Sequence, residues 1–321
     1  MKFVFQLGLS LCLAVILAYV FALKGDPELL QYASLYAKKA EVAEQIEKSK
    51  VIFIGGSSCT HSVRPGDFFA EGIPCVNMGY HAGARAPMLI AGGLTVAEPG
   101  DLVVLAVEPA LFMSDKPVSR GALVGGLKLG DPFLATGGQF SNVSLSLGDC
   151  LSSIRPGGLR LVKYLVCLTP AIDPEKYREV DEYGWMSDTR RIAPYSKVSE
   201  TYAGITPLNW NLLLSVVQYC EQNGIDVICA IPWRLCAGKD QDAAKRWDTQ
   251  FIAEMSTIMP VLNEQSGCAV LNKEYFSDTS YHLSMTGAVL RSQAYVEALI
   301  SGKVIENGQL HSIDLISRIK E

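Results

Sequence analysis

The chain is short of the features that would assign it to several common classes. Only four of its 321 residues are histidine, and its nine cysteines show neither Cys-x-x-Cys nor a Cys/His spacing suited to zinc. No metal site is therefore expected. No basic cluster is interleaved with aromatics, and 28 Lys+Arg against 33 Asp+Glu leave a formal charge of -5. Nucleic acid is thus not an expected partner. Neither Gly-x-Gly-x-x-Gly nor a Gly-Lys-Ser/Thr ending occurs in the glycine turn Gly55-Gly56-Ser57-Ser58, so a phosphate-cradling loop is not expected there. Internal repeats are also missing. What is abundant is apolar sequence, 49% of the chain, enough for a sizeable core.

Part of that apolar content lies at the start. Phe3 to Leu23 carries no charge and one strongly polar side chain, Gln6, between Lys2 and Lys24. As a helix it would measure roughly 30 Å, the thickness of a bilayer's hydrocarbon layer. Two readings compete: an uncleaved anchor, and a signal segment cut after Val20-Phe21-Ala22, which would release the rest as a secreted protein. Its length favours the anchor, with the globular part on the exported side, because no second apolar stretch of spanning length follows. Eight cysteines outside this segment could pair in an oxidising compartment, but a domain this large does not need them. No catalytic role is assigned to them.

Residues 1–24 are thus read as anchor or signal and 25–50 as an amphipathic linker helix, with apolar Leu29, Leu30, Ala33, Leu35, Val42 and Ile46 at helical spacing. The unbroken run "VIFIGG" then has the pattern of a strand buried on both faces. Similar runs recur at 73–79, 101–109, 225–232 and 268–272, with helical stretches at 86–94, 208–222 and 243–265 between them. This alternation predicts an α/β fold over 51–301, a three-layer α/β/α sandwich on a mainly parallel sheet, with functional residues at the carboxyl ends of the strands. A Gly-, Ser- and Pro-rich stretch at about 112–205 reads as an insertion over that edge, and 302–321 as a tail that could end in a surface helix.

Two distant segments carry the chemistry. Ser57 follows the first strand, while Asp278 and His282 precede the last helical pattern. In a doubly wound sheet these loops can open on one edge, where a serine nucleophile needs a base and the base needs a carboxylate. His61 and His81 are alternative bases or pocket residues. Arg64 and Arg291 could bind an anion or form structural ion pairs, and Tyr281 and Trp233 could stack on sugar rings or pack in the core. Glu108 is expected to brace a loop by accepting backbone N–H groups.

Taken together, "FIGGSS" and "DTSYHLSMTGA" resemble the first and last motif blocks of the SGNH (GDSL-like) hydrolases. They look most like the divergent membrane-anchored branch acting in polysaccharide O-acetylation and teichoic acid D-alanyl transfer. The resemblance covers about residues 50–301, through short motifs. It implies an SGNH/flavodoxin-like fold with Ser57 as nucleophile, His282 as base and Asp278 as the orienting acid. Gly56 stands where the family has Asp, and one extra residue separates Asp278 from His282, so that the family's spacing would select Thr279. The oxyanion would be held by backbone N–H groups of Ser57 and of Gly79 or Gly83, with Asn77 as a substitute, since Glu108 occupies the place of the family's oxyanion Asn. The implied activity is serine-dependent acyl transfer, or ester hydrolysis, on an exported polysaccharide. It would need no cofactor, and an integral-membrane acyltransferase is the implied partner. A non-catalytic polysaccharide-binding or scaffold subunit is the alternative.

Overall fold

The computed structural model describes residues 5–14, 16, 27–116, 181–186, 193–196, 201–264 and 268–316. Most of the stretch read as an insertion, 112–205, lies outside the described residues, as do Cys150 and Cys167. So does much of the segment read as an anchor. Residues 5–14 are helical, and no helix among the described residues is long and apolar enough to cross a membrane.

Among the described residues, seven strands form the main sheet: β1 (Val51–Ile54), β2 (Cys75–Asn77), β3 (Leu102–Leu105), β4 (Asp226–Cys229), β6 (Val261–Leu262), β8 (Lys303–Glu306) and β9 (Gln309–Ser312). Their order is β2-β1-β3-β4-β6-β8-β9. The first five run parallel, and β8 and β9 are antiparallel. A separate parallel pair joins β5 (Arg234–Leu235) to β7 (Ala269–Val270).

The unbroken apolar run of β1 has a simple cause, since both faces of the sheet are covered. Ile52 and Ile54 pack with Val103 and Leu105 into one core, and Val51 and Phe53 with Leu102 and Val104 into the other. Helices supply the outer layers. To the first core come α1 (Pro27–Glu44), α4 (Arg85–Leu94), α6 (Pro207–Gln222) and α7 (Gln241–Met255). To the second come α2 (Ser57–Ser62), α3 (Pro65–Ala70) and α8 (Met285–Ser301), while α5 (Pro109–Phe112) is a single turn after β3. The expected α/β fold with a mostly parallel sheet and flanking helices is therefore present.

Three expectations are corrected. The helical pattern at 243–265 stops at Met255, and Met259-Pro260 feeds the short strand β6 instead. Proline lacks the N–H that would continue the helix. The run 268–272 yields β7, which joins the small sheet rather than the main one. The tail is a hairpin, not a helix. Asn307 and Gly308 both take positive φ, 49° and 74°, as a two-residue hairpin turn requires, and β8–β9 extends the sheet past β6. The described structure thus runs to Ile316, and α1 packs on the sheet, because Leu35, Tyr36 and Ala43 are buried in its first core.

Candidate functional site

β1 lies between β2 and β3, so the chain leaves it toward one neighbour and later returns to the other. The loops after β1 and β3 diverge there, opening a crevice at the carboxyl edge of the sheet. They deliver Ser57 and Glu108. From Val51 to Val63 every residue is buried except Ser57, which sits at the first position of α2.

The histidine and acid arrive on the loop before α8. There Thr279 Oγ1 accepts the backbone N–H groups of Tyr281 (3.2 Å) and His282 (3.0 Å), and the Ser277 N–H donates to the His282 carbonyl (2.9 Å). This tight turn brings the Asp278 and His282 side chains together. His282 Nδ1 donates to Asp278 Oδ1 at 2.7 Å, and Thr279, favoured by spacing alone, shapes the loop instead. The Asp278 and His282 side chains keep 16% and 14% exposure, so both are reachable.

His61 links the two halves. It lies one helical turn after Ser57, on the same face, with its side chain leaning toward the helix start. Its ring packs on that of His282, with centroids 4.4 Å apart at 44°. His61 Nδ1 must carry a proton, because it meets the Met186 carbonyl at 3.0 Å and a carbonyl only accepts. Burial first, and the neighbouring His282 second, push its pKa well below 6.5, so His61 is a neutral imidazole. Its Nε2 has no hydrogen-bond partner among the described residues.

Glu108 braces the loop after β1 by accepting a backbone N–H, as expected from the sequence. Its Oε1 accepts the Ser58 N–H at 3.1 Å, capping α2 from outside because Gly56 has no side chain to do so. Its Oε2 has no partner among the described residues. A Cβ at position 56 would fall 2.3 Å from Oε2 and 2.6 Å from Oε1. Gly56 and Glu108 are thus one structural arrangement: the carboxylate stands on the loop after β3, and the glycine on the loop after β1 makes room for it.

Three of the four donors expected for an oxyanion are engaged elsewhere. Gly79 N–H donates to Asn77 Oδ1 (2.8 Å), and Gly83 N–H to His81 Nδ1 (2.9 Å). Asn77 is fully buried, and its amide donates to the carbonyls of Cys59 (2.9 Å) and Val63 (2.6 Å), tying β2 to α2. Asn77, Gly79 and Gly83 therefore hold the scaffold together, and His81 braces its own loop.

Arg64 pairs with Asp67 and lies over the Trp185 ring, and Arg291 is buried against Glu264, Tyr295 and Trp233. Arg291 is structural, while Arg64 is engaged in an ion pair at the surface. Tyr281 borders Arg234, and its phenol pKa is raised, chiefly by burial. Cys59, on α2, is a buried free thiol whose pKa burial pushes up to about 12, so it is unreactive at neutral pH. A cavity of about 520 Å³ lies further along the sheet edge, beyond β4, lined by Ile231, Asp248, Asn263, Glu264 and Cys268 among others. Among the described residues no group of three or more His, Cys, Asp or Glu is placed to hold a metal ion.

No family model, curated protein or solved structure matches the chain.

Proposed function

We propose that the protein is a serine-dependent acyltransferase or esterase of the SGNH type, held at a membrane by residues 3–23 with its domain on the exported side. The observation that carries this reading is the placement of Ser57. It is the one accessible residue of an otherwise buried strand–turn–helix, one turn before a histidine that packs on the Asp278-oriented His282.

In the reaction, Ser57 Oγ attacks an ester carbonyl and His282 Nε2 takes its proton. Asp278 holds the proton on Nδ1 and stabilises the imidazolium. The leaving alcohol takes the proton from His282, and the acyl group rests on Ser57. An entering hydroxyl then gives its proton to His282 and takes the acyl group, and Ser57 Oγ recovers that proton from His282: a sugar hydroxyl makes the protein a transferase, water an esterase. With Gly79, Gly83 and Asn77 engaged, the backbone N–H of Ser57 at the start of α2 is the remaining expected oxyanion donor. An exported polysaccharide is the acceptor this reading favours, with an integral-membrane acyltransferase as the acyl source.

The position of Glu108 favours the second reading, a polysaccharide-binding subunit without turnover, because a carboxylate beside the nucleophile opposes an oxyanion. One experiment separates the two. A fluorophosphonate should modify Ser57 of the full chain, as shown by peptide mass. Ester turnover should fall about 10⁴-fold in Ser57→Ala and Asp278→Asn. No adduct on Ser57 and no turnover by the parent protein would leave the binding subunit as the reading.

A further inference from the structure

Two acceptor atoms without donors border the same six-residue helix. Glu108 Oε2 lies beside Gly56 at its start, on a side chain only 7% exposed. His61 Nε2 lies within it, on a side chain 1% exposed, and is a bare lone pair because the Met186 carbonyl fixes the proton on Nδ1. Buried acceptors without donors are uncommon in folded proteins, and each calls for an explanation, a bound water or a catalytic or binding role among them. Both atoms lie on side chains already fixed from the other end, Glu108 by the Ser58 N–H and His61 by Met186. Neither side chain can turn to find a partner without breaking that contact. Among the described residues nothing donates to either atom.

We propose that Glu108 and His61 form a hydroxyl-recognising subsite beside Ser57, taking hydrogen bonds from a neutral polyol such as a sugar ring with adjacent free hydroxyls. This deepens the serine reading, on which its catalytic meaning rests. One hydroxyl of the bound polyol attacks the acyl carbon and gives its proton to His282 Nε2. The acyl–Ser57 bond breaks, and Ser57 Oγ recovers that proton from His282. Neighbouring hydroxyls donate to Glu108 Oε2 and His61 Nε2. An anionic group at the same place would face a carboxylate and a lone pair, so phosphate and uronate are disfavoured there.

The test is equilibrium binding, which needs no turnover. Methyl α-glucopyranoside and its tetra-O-methyl counterpart are titrated into the Ser57→Ala protein and followed by ligand-observed NMR. The hydroxylated sugar should bind at least tenfold more tightly than the O-methylated one. Glu108→Gln keeps an acceptor for the Ser58 N–H but sets an amide donor in place of Oε2, and it should erase most of that difference. His61→Phe keeps a ring against His282 and removes the lone pair, and it should do the same, so that either variant suffices if the other fails to fold. Equal binding of the two sugars, no binding of either, or unchanged discrimination in the folded variants would overturn the proposal. If Ser57 resists the fluorophosphonate while the discrimination holds, the serine reading fails and the subsite stands.

Discussion

At position 56 the choice of glycine is dictated by a side chain fifty residues away. The space a Cβ would take is filled by the Glu108 carboxylate, so even Gly56→Ala should destabilise the protein by about 1–3 kcal/mol through overpacking. Gly56→Asp adds a second negative charge to the clash and should be worse. Pairing it with Glu108→Asn removes both the crowding and the repulsion, so the double variant should melt above Gly56→Asp alone. Additive losses in thermal unfolding would show that the two positions do not interact. The residue scale is also where the sequence misled. Asn77 had the chemistry of an oxyanion donor, yet its amide is consumed by hydrogen bonds that hold α2 against β2. A side chain's donors and acceptors are visible in sequence, but their partners are not.

At the scale of elements, α1 is more than a connector. Lys39 projects from it into the core, fully buried, with Nζ 2.8 Å from the Gly79 carbonyl beneath the loop after β2. Burial is the main cause that lowers its pKa, from 10.5 to about 8, against the weaker opposing pull of Cys59 and Asp181. Between these values the unfolded chain binds more protons at Lys39 than the folded one does. This group's contribution to stability therefore rises with pH from about 8 to 10.5, and is lost as pH falls through 8. Lys39→Met should flatten that rise in the melting temperature, and an unchanged slope would sink the assignment. The helical spacing of α1 was readable, but a lysine on its core face was not, since periodicity treats charge as solvent-facing. For α2 the opposite held. Six residues, four of them Ser or Thr, carry no apolar stripe, and the helix exists because Asn77 and Glu108 secure its two ends.

Over the whole molecule, the sequence disclosed the sheet where apolar runs were long and hid it where they were short. β1, β3 and β4 stood out, while β6 pairs through only two residues and merged with the preceding helix pattern. The C-terminal hairpin was announced by Asn307-Gly308, a dipeptide suited to two positive φ angles, but its strands are mostly exposed and lack the alternation that marks a half-buried strand. Because β8 covers the edge of β6 and Val304 is fully buried, a chain ending at Ser301 would leave β6 as a bare edge. Such a truncation should lower the melting temperature by several degrees and promote aggregation, measured against the full chain by thermal unfolding and light scattering. Equal stability would place the domain boundary at 301 after all.

The lone exposure of Ser57 also bears on how substitutions would sort across Val51–Val63. Its neighbours are constrained by packing, so most replacements there would fail at the level of soluble protein. Ser57 has no such packing constraint and would accept small residues without loss of yield while losing function. In a saturation library scored separately for abundance and for activity, this segment would show one position where the two scores part.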